Sequence, residues 1–453
     1  MDSTDTAPES NPNEPTTDQT ASDSTDTKPK SDRKALLTVF LVIFIDLLGF
    51  GIVIPMLSLD GRVYIERLLP ANSSSVYTGI ILGLLMSCFS AMQFIFAPLW
   101  GRTSDKIGRR PVLLIGLLGS VVFYSLFGCA LVQQFWTAQL ALILLFVARS
   151  GAGIAGATIP TAQAVIADST PPEGRKHGMA IIGAAFGMGF TLGPALGALA
   201  IRTFPNNPEM IGYAAATLSF VAMLLCWCLF KETRKVGGPQ AKRKWFSISD
   251  TREVLKTPTV GLLVGLFFLT TVGFSSFEPT LALLNQEILG LDKQDNYLIF
   301  FYVGFVLLIT QGYIYRKAAK NLSEETLMTI GMLLMGLGLA TLGTVVFLRE
   351  SNTLGPMLIP SAMATLTVSV MGFAFLTPSI QALISRRSDA DRQGEVMGVN
   401  QSASAMARIL GPIIGLVLYF AHSSRLLPYA FGAVVLLSML TFIPRIQGDK
   451  VTR

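Results

Sequence analysis

Apolar and polar positions in this chain alternate on the scale of whole helices rather than single turns. Twelve long apolar runs, at approximately 35–58, 76–100, 111–132, 138–165, 176–201, 210–230, 258–284, 296–315, 326–348, 356–384, 394–420 and 426–444, are separated by short polar stretches. At about 1.5 Å per residue, runs of roughly 20 residues match the hydrocarbon thickness, so each predicts a membrane-crossing helix. Residues 1–34 are Ser, Thr, Asp, Glu, Pro and Asn with almost no apolar content, a tail expected to be disordered because it cannot bury a core. The longest polar connection, 231–257, divides the rest into two six-helix halves, 35–230 and 258–445, with a short tail at 446–453. The predicted fold class is an all-α polytopic membrane protein of twelve transmembrane helices in two pseudo-symmetric bundles.

An internal repeat supports the division. Gly49-Phe50, Pro55 and Leu57 in the first span recur as Gly273-Phe274, Pro279 and Leu281 in the seventh. Gly193-Pro194-x-x-Gly197 in the fifth span recurs as Gly411-Pro412-x-x-Gly415 in the eleventh. Paired Gly/Pro interruptions in corresponding helices of two halves point to the central cavity of a transporter.

Composition agrees with the pattern and adds an orientation. The 453 residues are 51% hydrophobic and 14% charged, with mean hydropathy +0.54, far from a soluble chain of this length. Of the 35 Lys and Arg residues, 27 fall in the tails and even-numbered connections. Six fall in the other connections: Arg62, Arg67, Arg202, Lys293, Arg349 and Arg425. That asymmetry predicts cytoplasmic termini. It also removes the net charge of +6 as a nucleic-acid footprint, since the basic residues sit in alternate loops. The four cysteines lie within apolar runs and the two histidines in or near loops, so neither a disulfide framework nor a metal site is expected, and no cofactor.

Candidate chemistry is confined to a few positions. Gly101–Leu114, GRTSDKIGRRPVLL, packs Arg102, Asp105, Lys106, Arg109 and Arg110 between two apolar runs, so it predicts a charged hairpin at a membrane face. Gly101 and Gly108 allow the turn, and Pro111 suits the first turn of the next helix. Asp46 falls about 11 residues into the first span, near mid-membrane, where a carboxylate must be paired, hydrated or protonated. Arg149 is comparably deep in the fourth span, and Asp46 is its expected partner. Arg149 stays charged, so it can tune a neighbouring carboxylate's proton release but not carry the proton itself. Asp168 closes the same span. Glu278, beside Pro279, and Arg408 are the intramembrane charges of the second half, with Gln381 among the neutral polar groups. Asp46, Glu278, Arg149 and Arg408 sum to zero, which leaves substrate charge open. Gly183, Gly187, Gly189, Gly193 and Gly197 give the fifth span a face that another helix can approach closely.

The run G-x-x-x-D-x-x-G-R-R at 101–110 closely resembles the signature between the second and third helices of the major facilitator superfamily. Together with FIDLLGFGIVIPMLS (44–58), Arg149 and its glycines, GPALG (193–197) and FLTPSIQALISRRSDADRQGEVMGV (375–399), the chain resembles twelve-helix drug/proton antiporters over about 35–445. Within that group it is similar to tetracycline-resistance efflux proteins and their eukaryotic tetracycline-transporter-like relatives. The resemblance implies the major facilitator fold, a cavity-facing Arg149, and a gate in which Arg109 pairs with Asp168 while Asp105 caps a helix of the other half. It also implies an antiporter-type fifth helix through Gly189, Gly193, Pro194 and Gly197. The chain departs from the bacterial tetracycline pumps at Phe123 and Met335, where those carry acids, and in an eighth span holding Gln311 rather than a histidine. The resemblance therefore does not extend to the residues for a metal–tetracycline chelate, while proton-coupled efflux stays the expectation through Asp46 and Glu278.

The expected function is secondary active transport, proton-coupled efflux of small amphipathic organic compounds, by a monomer in a cell membrane. The expected partners are that substrate, protons and the bilayer. A metabolite uniporter or symporter and a transport-dead receptor are the alternatives. A membrane enzyme is disfavoured, because no nucleophile–base pair or ligand cluster lies at a membrane face.

Overall fold

The computed structural model describes residues 33–132, 135–170, 175–234, 248–350, 353–389 and 392–448. The expected disordered tail up to residue 32, the middle of the 231–257 connection and the last five residues lie outside the described residues. The first half contains α1 (Arg33–Leu68), α2 (Ser75–Ile107), α3 (Arg109–Ala130), α4 (Ala138–Ala155), α5 (Ile159–Ser169), α6 (Arg175–Thr203) and α7 (Met210–Leu229). A short helix, α8 (Ile248–Lys256), lies within the connection. The second half contains α9 (Pro258–Glu287), α10 (Lys293–Ile309), α11 (Tyr315–Ala318), α12 (Glu324–Glu350), α13 (Leu358–Arg387), α14 (Gln393–Ala421), α15 (Leu427–Ser438) and α16 (Ile443–Gly448).

Twelve helical stretches among the described residues are long and apolar enough to cross a membrane. Three are interrupted. Between α4 and α5 the helix breaks at Gly156–Thr158, ahead of Pro160, and α2 satisfies the freed carbonyls: Gln93 Nε2 donates to Gly156 O (3.1 Å) and Trp100 Nε1 to Ile154 O (2.7 Å). Between α10 and α11 lies a π turn, Thr310–Ile314, and between α15 and α16 a 3-10 turn, Met439–Phe442. Large apolar side chains point outward at helical spacing, as Ile115, Leu118 and Val122 do on α3, a surface suited to lipid rather than water.

Two boundaries differ from the hydropathy pattern for one reason, that paired charges let a helix outrun its apolar stretch. α1 continues ten residues past the predicted end at 58, because Asp60 pairs with Lys293 and Arg62 with Glu66. The predicted charged hairpin is mostly helix as well. α2 runs on to Ile107, and Gly108 alone separates it from α3. Gly108 has φ 110°, a backbone conformation that favours glycine, so the turn is a single residue.

Contacts between the halves follow a pseudo-twofold pattern. α6 packs on α1 of its own half and α10 of the other, and α14 packs on α9 of its own half and α2 of the other. The α2–α14 contact is backbone to backbone, since a Cβ on Gly83 would lie 2.7 Å from Ile413 Cα. We call the side bearing Gly108 and the 231–257 connection the basic face, and the opposite side the far face. The close crossings fall in the middle and toward the far face, whereas Gly394 and Gly398 at the basic end of α14 have open space where a Cβ would project.

Candidate functional site

The helices enclose a central cavity of about 310 Å³ between the halves. Eight phenylalanines line it: Phe50, Phe89, Phe190, Phe267, Phe274, Phe277, Phe300 and Phe373. They form the wall pairwise, with Phe274 and Phe373 stacked at 3.8 Å between ring centroids and Phe50 edge-on to Phe190 at 5.5 Å. Asp46, Glu278, Gln381 and Arg408 all line this cavity, so four of the five sequence-predicted cavity residues meet there. Arg149 stands behind the wall, fully buried, with its guanidinium over Phe89 (4.6 Å) and Phe50 (5.5 Å).

The expected Asp46–Arg149 pair is not formed. Asp46 accepts a hydrogen bond from Ser120 Oγ on α3 (3.1 Å), and no ion pair joins it to Arg149 among the described residues. Arg149 Nε and Nη1 have no hydrogen-bond partner among the described residues either. The carboxylate whose field reaches Arg149 is Glu278, which interacts electrostatically with Arg408 as well. Arg408 donates one long hydrogen bond, 3.4 Å, to Ser404 Oγ one turn away. The four intramembrane charges thus divide into one hydroxyl-bound acid on α1, one acid on α9 sharing the cavity wall with Arg408, and Arg149 behind that wall.

From this cavity a second, more polar space of about 620 Å³ runs toward the basic face between α2, α5 and α14. Ser90, Gln93, Ile159, Gln401 and Arg408 border both spaces, so the central cavity adjoins the slot. Asp105 stands at its outer end, across from Gly394 and Gly398 of α14. On the far face the halves are bolted together. Lys293 Nζ of α10 donates to both oxygens of buried Asp60 on α1 (2.9 and 3.1 Å), and Tyr297 Oη donates to Ile52 O (2.6 Å). Arg62 of α1 pairs with Glu287 of α9, which also holds Arg425 Nε (3.2 Å) and Tyr419 Oη (3.0 Å). Sequence reasoning missed this lock, counting Arg62, Lys293 and Arg425 only as loop charges.

The basic-face signature builds a second polar cluster within the first half. Arg109 donates through Nε to Asp168 (3.2 Å) and through Nη1 to Ser104 Oγ (2.6 Å) and Asp105 (2.5 Å). Asp105 is half exposed and contacts Arg109 rather than the other half, consistent with the open slot. Arg110 Nη2 reaches back to Trp227 O (2.6 Å) with its guanidinium over the indole. Gly101 borders the slot beside Pro160. On α6, Gly189 and Gly193 admit α1 at Leu47 and Leu48, Pro194 fits against Gly51, and Gly197 admits Tyr297 of α10. At the two positions expected to depart from the resembled pumps, Phe123 packs against Gly151 and Met335 is buried against Gly372, so neither place bears a charge.

Comparison with known proteins agrees with this architecture. The profile described as Major Facilitator Superfamily matches residues 39–373 and 323–452. The chain is 31% identical over 392 residues to the class E tetracycline resistance protein of Escherichia coli, covering 86% of this chain and 88% of that protein. It is 27% identical over 434 residues to major facilitator superfamily domain-containing protein 10 of Homo sapiens, covering 87% and 89%. A crystal structure described as the human organic anion transporter MFSD10 (TETRAN) superposes with TM-score 0.59 at 24% identity, over 91% of this chain and 99% of that one. Twelve spans in two halves, a cavity between them and this match over most of the sequence lead to one conclusion: the chain belongs to the major facilitator superfamily and is a membrane transporter, not an enzyme.

Proposed function

We propose that this protein is a proton-coupled exporter of small amphipathic organic compounds, working by alternating access, with its basic face and both termini in the cytoplasm of a cell membrane. The observation that carries this reading is the placement of two acids at different depths in one aromatic cavity. The internal repeat aligns Asp46 with Thr270 and Glu278 with Ile54. Glu278 therefore lies eight positions further along its helix, about 12 Å nearer the far face. One acid can face the open slot while the other waits toward the far side. Phenylalanine rings provide apolar contact without strict shape selection. The likeness to tetracycline resistance proteins supports efflux of an aromatic, polar-edged molecule.

Arg408 favours a second reading, facilitated transport of an aromatic organic anion, in which the guanidinium receives the anionic group. The name of the human relative, organic anion transporter, supports it. Flux of tetracycline and of an aromatic carboxylate into proteoliposomes, with and without a pH gradient, separates the two. Proton-coupled export requires accumulation that collapses with a protonophore, whereas facilitated anion transport equilibrates regardless.

The orientation is tested by single cysteines in a chain without its native ones. Positions 73 and 292 are expected to react with an impermeant maleimide on intact cells, and positions 104 and 238 are not. Labelling at 238 from outside would invert the topology.

The basic-face cluster is expected to act as a latch that biases one conformation over another. Arg109→Ala and Asp168→Asn should each slow transport about tenfold with little change in substrate affinity, and the double variant should be no slower than either single one. Full additivity of the two losses would dissolve the pairing.

A further inference from the structure

The latch has a component on neither of its two helices. Glu232, just beyond the end of α7, inserts its carboxylate into the turn at Gly108. Oε1 accepts the backbone N–H of Arg109 (2.9 Å) and Oε2 that of Arg110 (3.0 Å), the first free amides of α3. Oε1 also accepts the N–H groups of Thr233 (3.1 Å) and Arg234 (2.9 Å), folding the start of the connection around the same carboxylate. Arg234 then closes the ring by donating from Nη1 to Lys106 O at the end of α2 (2.5 Å). A Cβ on Gly108 would lie 2.5 Å from Glu232 Oε2. The signature glycine is therefore required twice, for its positive φ and for the space this carboxylate fills.

We propose that Glu232 is a positioning residue of the latch: it fixes the one-residue turn, sets the directions of Asp105 and Arg109, and ties both to the connection between the halves. Partial burial pushes its carboxyl up, but the bonds from Arg234, Arg109, Arg110 and Thr233 outweigh this and hold it below the ordinary carboxylate range. Its stabilising contribution is thus present above the usual titration range and is lost only as pH falls through the depressed value. The second half repeats the arrangement with charges exchanged. Glu325 at the head of α12 faces Arg387 at the foot of α13 (3.4 Å), and Arg387 Nη2 donates to Ile446 O in the half's last helix (2.6 Å). In both halves the end of the sixth span is fastened to an acid–arginine pair at the basic face.

Asp105 lies across the slot from the amino end of α14, so its direction matters when the slot closes. Loss of Glu232 should therefore weaken the closed form. The test uses the full chain in lipid nanodiscs, with its four cysteines replaced and one cysteine introduced at Ser402 in the slot. Glu232→Gln keeps the shape but turns an acceptor into a donor facing N–H groups. It should raise amide exchange at Arg109 and Arg110 about tenfold, and raise maleimide labelling at position 402 about threefold or more, with Glu232→Asp in between. In an Arg109→Ala background, which retains the backbone amide, Glu232→Gln should add nothing to the labelling. Faster exchange with unchanged labelling would make Glu232 a helix cap alone and overturn the proposal. So would unchanged exchange, or an effect on labelling that adds to that of Arg109→Ala.

Discussion

Replacing Asp46 with asparagine is expected to abolish pH-driven uphill efflux while leaving counterflow of labelled for unlabelled substrate intact. A proton-coupled exchanger needs a group that proton and substrate engage alternately, from one side at a time. Asp46 lines the cavity on the part of α1 nearer the open slot, with Ser120 Oγ as its hydrogen-bonding neighbour and, among the described residues, no arginine paired with it. Its amide resembles the protonated acid and nearly keeps its volume, so the cavity still loads and exchanges. Uphill accumulation should fall by about two orders of magnitude, the scale of losing a positioned proton-transfer group. Glu278→Gln should behave differently, because Glu278 shares the cavity wall with Arg408 and its charge partly balances that guanidinium there. Its loss should appear in yield and thermal stability as well as in coupling. If Asp46→Asn still concentrates substrate when a pH difference is the only driving force, the coupling group is elsewhere and Glu278 is next.

The second large effect is expected at the far face. Glu287→Ala removes a carboxylate that holds Arg62 from one half and Arg425 and Tyr419 from the other. Two guanidiniums would be left over the same Phe420 ring, at 5.5 and 5.0 Å, with no shared anion between them. Arg425 has φ 56°, the single non-glycine positive φ among the described residues, a conformation its partners must sustain. Truncating one member of such a cluster costs about 2 kcal/mol or more. Partial exposure reduces that, so a population shift of roughly tenfold toward the far-open form is the expected scale. A cysteine at buried Ser58 should become about tenfold more reactive from the far side, while one at Ser402 becomes less so. Unchanged reactivity at both positions would remove the cluster from the gating account.

What could be read from the sequence, and what could not, follows from the geometry of a helix. Hydropathy gives depth along an axis, and the twelve spans, the mid-membrane depth of Asp46 and Arg149 and the intramembrane placement of Glu278 and Arg408 are depth statements. The family, too, was visible in the 101–110 signature. Pairing requires rotation about the axis and the identity of the neighbour, which one chain's periodicity does not carry. Arg149 and Asp46 have comparable depth, yet Phe50 and Phe89 lie against the guanidinium while Asp46 turns to α3. Lys293 looked like a loop charge until α1 proved to extend to Leu68 and brought Asp60 beside it. Glu232 was one of several charges in a polar connection, and nothing local marks it as the cap of a helix beginning 123 positions earlier. The cavity wall was not legible: phenylalanines are spread over many spans, and only packing picks out the eight that line it.

Proton coupling through the central cavity is tested most directly by proteoliposomes holding the full chain in one orientation, with an imposed pH difference, no membrane potential, and tetracycline in metal-free buffer as probe. The account predicts uphill tetracycline movement against the proton gradient, collapse on adding a protonophore, and measurable substrate-driven proton flux. Each of these should be lost in Asp46→Asn while counterflow persists. Tetracycline flux that equilibrates without accumulation, at a rate indifferent to the pH difference and to Asp46→Asn, would contradict it.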